Sequence, residues 1–188
     1  IMHSKAYRQG AGSRMQPVNS RLDQLPSRLR KMATLERFGE VPALVMSRDE
    51  TPRPFLLWMH GRTANKELDP GRYLRFVRRG INVCAVDLPG HGERFAKSMQ
   101  EGEGAFRIVQ QMSAEIDGVM HSLRNNPSFD HRRAAIGGMS AGGLAVIGRL
   151  IHQHPFKAAI LEATMGQWRS QRHHAMFNQL TDQQFNEL

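Results

Sequence analysis

AAIGGMSAGGLAVIGRL, residues 134–150, begins as a short apolar strand, passes through a glycine-rich turn that holds one serine, and continues as an apolar helix. Gly138, Ser140 and Gly142 satisfy the pattern G-x-S-x-G. Here the pattern joins a strand directly to a helix, which is the setting of a nucleophile elbow. Such a turn holds its serine at the carboxyl edge of a sheet, and small flanking residues let the strand and helix backbones approach. The helix N-terminus places partial positive charge beside the serine oxygen, and the backbone N–H of Ala141 is available to a developing oxyanion. Ser140 is therefore the candidate nucleophile.

Working outward, TLERFGEVPALVM (34–46) carries two short apolar runs split by Gly39 and Glu40, the pattern of an antiparallel hairpin. PFLLWMHG (54–61) reads as a buried strand ending in a loop. In LDPGRYLRFVRRG (68–80), Asp69 is placed to cap a helix whose first residue is Pro70; Tyr73, Leu74 and Val77 share a face, and Gly80 ends it. INVCAVD (81–87) is a second buried strand, and Phe106, Val109, Ser113, Ile116, Met120 and Leu123 mark a long amphipathic helix ended by NNP. RAAIGG (133–138) is a third strand and FKAAILEA (156–163) a fourth. Uniformly apolar strands alternating with helices imply an α/β fold: a mostly parallel sheet, covered on both faces, with the hairpin as an antiparallel edge. Thr181 and Gln184 form a capping-box signal for a helix that has barely begun at Leu188, so the chain reads as cut. A sheet that stops after FKAAILEA would expose an apolar edge strand and lower solubility.

The 188 residues suit one domain, with 32–188 as the folded part and 1–31 as a basic polar arm. The formal charge of +9 resembles a nucleic-acid signal, but residues 1–37 hold eight Lys or Arg against two acids. That segment lacks the aromatic interleaving that stacks bases, so a solvated or packing arm is expected and nucleic acid is not. The longest apolar runs, such as FLLWM (55–59), are far below the ~20 residues of a membrane span, and the chain reads as cytoplasmic. Cys84, the single cysteine, lies in a strand and reads as a core residue.

The second half of an oxyanion hole is sought after the preceding strand, in WMHGRT (58–63), with the Arg62 backbone as first choice and Thr63 as second. No stretch satisfies G-x-G-x-x-G or the phosphate-binding P-loop, no zinc spacing occurs among the nine histidines, and neither cofactor nor metal is expected. WMHGRT, DLPGHGER (87–94) and GGMSAGG (137–143), in this order and on these elements, resemble the α/β-hydrolase superfamily over roughly residues 34–166. The likeness is to serine esterases near the dienelactone hydrolase and prolyl oligopeptidase branches. It implies an acyl-enzyme on Ser140 formed from a small-molecule carboxylic ester, with Ala141 and Arg62 N–H groups holding the oxyanion. Dienelactone hydrolases typically use cysteine, so serine favours ordinary ester hydrolysis.

The resemblance also implies a triad acid and histidine after later strands, in the order Ser, acid, His. Neither strand is legible here, and a chain without both partners is expected to be nearly inactive. Among substitutes, Glu162 at the end of the fourth strand reads first as an exposed or arginine-paired carboxylate and only second as a catalytic acid. His173 and His174 read as positions on a covering helix, Asp87 as a loop cap beside His91, and His60 as a shaper of the oxyanion loop. The alternative function is a hydrolase-like fold that binds without turnover. Neither the substrate nor the oligomeric state is legible.

Overall fold

The computed structural model describes residues 18–100, 104–167 and 181–183. Its centre is a six-stranded sheet in the order β1-β2-β4-β3-β5-β6. β1 (Ala33–Phe38) and β2 (Val41–Met46) form the expected antiparallel hairpin around the two-residue turn Gly39–Glu40. β2 runs antiparallel to β4 (Asn82–Val86), whereas β3 (Arg53–Met59), β4, β5 (Phe129–Met139) and β6 (Ala158–Glu162) are mutually parallel. The hairpin is thus an antiparallel edge on a parallel sheet, as the strand patterns imply.

Period-two alternation explains why β3 and β4 carry no polar stripe. Phe55, Leu57 and Met59 of β3 point to one face, where they meet Ile108, Val109, Met112 and Ile116 of α4 (Gly104–Leu123) and Leu144 and Val146 of α5 (Ala141–Leu150). Leu56 and Trp58 point to the other face, among Tyr73 and Val77 of α3 (Pro70–Arg78). Both faces are covered, so both sets of side chains must be apolar. Cys84 is fully buried on the α4 face, where burial pushes its thiol pKa up and keeps it a core residue.

α3 begins as its sequence dictates: the Asp69 carboxylate accepts the Arg72 N–H at 3.1 Å, and Pro70 fills the first helical position, where no N–H is needed. The stripe on α4 is slightly displaced from its sequence reading. Met112 occupies the fully buried position, while Ser113 is half-buried and faces Gly148 of α5, the small pair letting the two helices close. β5 starts four residues before RAAIGG, at Phe129, because that ring packs edge-on against Phe55 with centroids 4.9 Å apart.

Of the two expectations for the leading segment, solvated or packing, its described part shows packing. α1 (Val18–Asp23) and α2 (Ser27–Arg30) place Leu25 and Leu29 in the core on the α3 face, with Leu29 fully buried. Two leucines spaced four apart suffice to anchor the segment while its arginines stay outside. At the opposite edge, β6 is apolar yet open: Ala158, Ala159 and Leu161 are exposed, Leu161 at 43%. The covering helix expected to carry His173 and His174, and most of the helix expected from Thr181, fall outside the described residues. No helix among the described residues is long and apolar enough to cross a membrane.

Candidate active site

Ser140 stands between the last residue of β5 and the first of α5, with φ 51° and ψ −117°. A side chain rarely adopts this region, and such strain persists only where the surroundings over-determine it. Three bonds do so here. The Ser140 N–H donates to the Glu162 carbonyl at 2.9 Å, and its own carbonyl accepts the Leu144 N–H at 2.9 Å and the Thr164 hydroxyl at 3.2 Å. The sheet edge and helix α5 therefore grip the serine backbone from both sides.

The flanking glycines make that grip possible. A Cβ on Gly142 would lie 2.5 Å from the carbonyl oxygens of Met59 and His60, and one on Gly138 would lie 2.4 Å from the Gly142 carbonyl carbon. These obstacles are backbone, so they cannot rotate away. Helix α5 packs its first turn directly on the end of β3, which is how the motif brings Ser140 beside the loop that follows β3. A Cβ on Gly61 would stand 3.4 Å from Ser140 Cβ.

That loop, residues 60–69, carries the sequence-predicted donors. Among the described residues neither the Arg62 N–H nor the Ala141 N–H meets a backbone acceptor. Ala141 is the first residue of α5, where an N–H has no partner within the helix. Thr63, the second choice, holds a left-handed φ of 64° and turns its hydroxyl onto the Arg62 carbonyl at 2.6 Å.

Both ring nitrogens of His60 are engaged. Its Nε2 accepts the Leu88 N–H at 3.0 Å, so the proton sits on Nδ1, which donates to the Gly61 carbonyl at 2.7 Å. Burial pushes its pKa down to about 4, outweighing the pull of the Gly61 carbonyl and of Asp87. It is a neutral strut between two loops, with both nitrogens occupied. His91 stacks edge-on to it, centroids 5.4 Å apart, and bonds the Pro89 carbonyl through Nδ1.

Glu162 takes the bland reading. Its carboxylate accepts Arg72 at 2.7 Å, while the same guanidinium bonds Asp69 at 2.6 Å and lies 4.1 Å over the Trp58 ring. Its backbone carbonyl accepts the Ser140 N–H. Asp87 caps its loop by accepting the Glu93 N–H, but it also accepts the Lys66 N–H at 2.9 Å and the Lys66 ammonium at 3.0 Å. The sequence reading missed Lys66, Glu93, Arg72 and Thr164. Besides the local partners Glu67 and Asp69, Lys66 and Arg72 have partners 21 to 90 residues away, and no local period marks such pairs. Among the described residues, no hydrogen-bond partner meets the Ser140 hydroxyl, and no cluster of three or more metal-ligating side chains occurs.

A mostly parallel sheet with an antiparallel hairpin edge, helices on both faces and a strained serine between strand and helix is the α/β-hydrolase fold. Solved structures share it. A cold-adapted esterase from an Arctic intertidal metagenomic library aligns with a TM-score of 0.54 at 22% identity, covering 66% of this chain and 55% of that one. A puromycin-hydrolyzing peptidase of Mycobacterium tuberculosis aligns at 0.61 and 18% identity, covering 82% and 27%. An acylaminoacyl peptidase of Pyrococcus horikoshii gives 0.61 and 18%, covering 82% and 28%. The chain belongs to the prolyl oligopeptidase family, whose sequence model matches residues 71–187. It is also similar to Esterase YjfP of Escherichia coli (strain K12), 24% identical over 121 residues, which is 62% of this chain and 48% of that protein. The chain thus spans about half the length of this curated relative.

Proposed function

We propose that the protein is a serine hydrolase of carboxylic esters that works through an acyl-enzyme on Ser140. The observation that carries this reading is the strained Ser140 backbone, φ 51°, held between the Glu162 carbonyl and helix α5, with an Ala141 N–H beside it that meets no backbone acceptor among the described residues. Strain of this kind needs a compensating use, and presenting an oxygen at the end of a helix is one. Family membership and likeness to an esterase support the reaction class.

In the proposed reaction a general base takes the Ser140 hydroxyl proton as the oxygen attacks the ester carbonyl, the carbonyl electron pair moves onto oxygen to give a tetrahedral oxyanion, and that proton is the one later passed to the leaving alcohol. The N–H groups of Ala141 and Arg62 donate to that oxyanion. Such preorganised donors each contribute about 10²–10³ in turnover in serine hydrolases. Collapse expels the alcohol, which takes up a proton, and water then releases the acid from the acyl-serine. His60 and Glu162 are engaged elsewhere, so the base and its acid are assigned to neither.

The test is hydrolysis of a short-chain aryl ester by the protein and by its Ser140→Ala variant. The proposal expects loss of turnover by at least about 10³-fold. Unchanged turnover refutes it, and a protein that neither hydrolyses esters nor acylates Ser140 would be a binding member of the fold.

A further inference from the structure

Lys66 is a fully buried lysine in a loop, and its charge is matched by three carboxylates. Its ammonium lies 2.9 Å from Glu67, 3.0 Å from Asp87, and in a short contact with Glu93. Burial pushes the ammonium pKa down, but Asp87, Glu93 and Glu67 together outweigh it, so the group stays charged. A buried ion cluster is a poor way to stabilise a core, because desolvation of each charge offsets most of the attraction. What it does supply is direction: an ammonium has three donors, and here they bridge separate segments.

One of those segments is rigid in its own right. The Asp87 carboxylate also accepts the Glu93 N–H at 3.0 Å. Gly92 admits it, since a Cβ there would lie 2.1 Å from Asp87 Oδ1. Arg94 donates to the Asp87 carbonyl at 3.0 and 2.6 Å and is fixed by Glu115 of α4 at 3.0 Å. DLPGHGER is therefore a folded socket, anchored to α4.

The 60–69 loop is fastened to this socket region at three points. His60 accepts the Leu88 N–H, the Arg62 guanidinium donates to the Gln100 carbonyl at 3.0 Å, and Lys66 engages Asp87 through both its backbone N–H and its ammonium. The Arg62 and Thr63 backbone lies between the first and last of these. Resting on the reading of Ser140 as nucleophile, we propose that Lys66 is a positioning residue for catalysis: its buried ammonium, seated on Asp87 and Glu93, fixes the Arg62 N–H relative to Ser140. Lys66 touches neither substrate nor serine and acts only through the loop. A displacement of about 1 Å in such a donor suffices for a loss near 10²-fold.

The experiment compares the full-length protein with Lys66→Met and with Lys66→Met/Asp87→Asn, which removes a buried carboxylate charge together with the ammonium and guards against failure to fold. Two readouts are taken well below each variant's melting temperature: kcat and KM for a short-chain aryl ester, with Ser140→Ala as the blank, and amide hydrogen exchange over residues 60–69. The proposal expects kcat to fall about 10²-fold with KM unchanged within about threefold, and exchange to quicken at 61–65 while β3 stays protected. A kcat within about twofold of the parent, or unaltered exchange at 61–65, overturns it. If Ser140→Ala retains turnover, the nucleophile reading falls by itself, and exchange alone then judges Lys66: quickened, the loop clamp stands; unaltered, it is gone.

Discussion

The Ser140 turn is held by backbone groups and by the absence of side chains, whereas the 60–69 loop facing it is held by buried charge. On the serine side, the Glu162 and Ser140 carbonyls, the Ser140 and Leu144 N–H groups, one side-chain hydroxyl from Thr164 and the bare Cα positions of Gly138 and Gly142 do the holding. On the loop side, Lys66, Asp87, Glu93 and Arg94 form a connected set of charges, with His60 as a neutral strut. The two constructions fail differently. A backbone turn is lost by adding an atom, and a charge cluster by removing one partner and leaving the others without compensation.

The largest effect is expected from Asp87→Ala, which takes one of three carboxylates from the buried Lys66 ammonium and leaves the Lys66 and Glu93 N–H groups without their acceptor. Breaking a buried pair costs about 3–5 kcal/mol, readable as the shift in a urea unfolding midpoint. A cost below about 1 kcal/mol would mean that the cluster is solvated, and the contrast between the two sides would disappear. On the serine side, Gly142→Ala should cost about 3 kcal/mol, because the added methyl meets the fixed carbonyls of Met59 and His60. The same substitution at Gly118, where nothing stands within 4 Å of an added Cβ, should be neutral or stabilising. Equal losses at the two glycines would break the packing account.

Acid distinguishes the two sides without any substitution. His60 is lowered from 6.5 to about 4 on folding, so the unfolded chain binds its proton more readily. The stability from keeping His60 neutral is complete above about pH 6.5 and is lost as pH falls toward about 4, reaching about 3 kcal/mol. His60→Gln should flatten that part of the stability–pH curve; an unchanged curve would remove His60 as the cause. The smallest effect belongs to Asp69→Ala, which deletes the cap of α3 and should cost about 1 kcal/mol in the same unfolding measurement.

The serine side was legible in the sequence because its information is local. G-x-S-x-G, the apolar run before it and the helical run after it sit within seventeen residues, and a glycine's purpose in a strand-to-helix turn follows from sterics. The cap at Asp69, the hairpin around Gly39 and Glu40, and the two-faced strands were readable for the same reason. The loop side was not. Lys66 stands in ANKELDP, which reads as an ordinary polar loop, and its partners at 87 and 93 are brought to it only by the pairing of β3 with β4. The packing of Leu25 and Leu29 is a similar case, since two leucines among arginines carry too little period to announce burial. Glu162 shows the converse. Its position at a strand end suggested an arginine-paired carboxylate first and a catalytic acid second, and which arginine pairs with it, the distant Arg72, was not legible.

The central claim, a nucleophile at Ser140, is tested most directly by treating the full-length protein with a fluorophosphonate and mapping the adduct by peptide mass spectrometry. The account predicts one phosphonylated residue, Ser140, and no adduct in the Ser140→Ala variant. Ester turnover with an adduct at another residue, or with none, would contradict it.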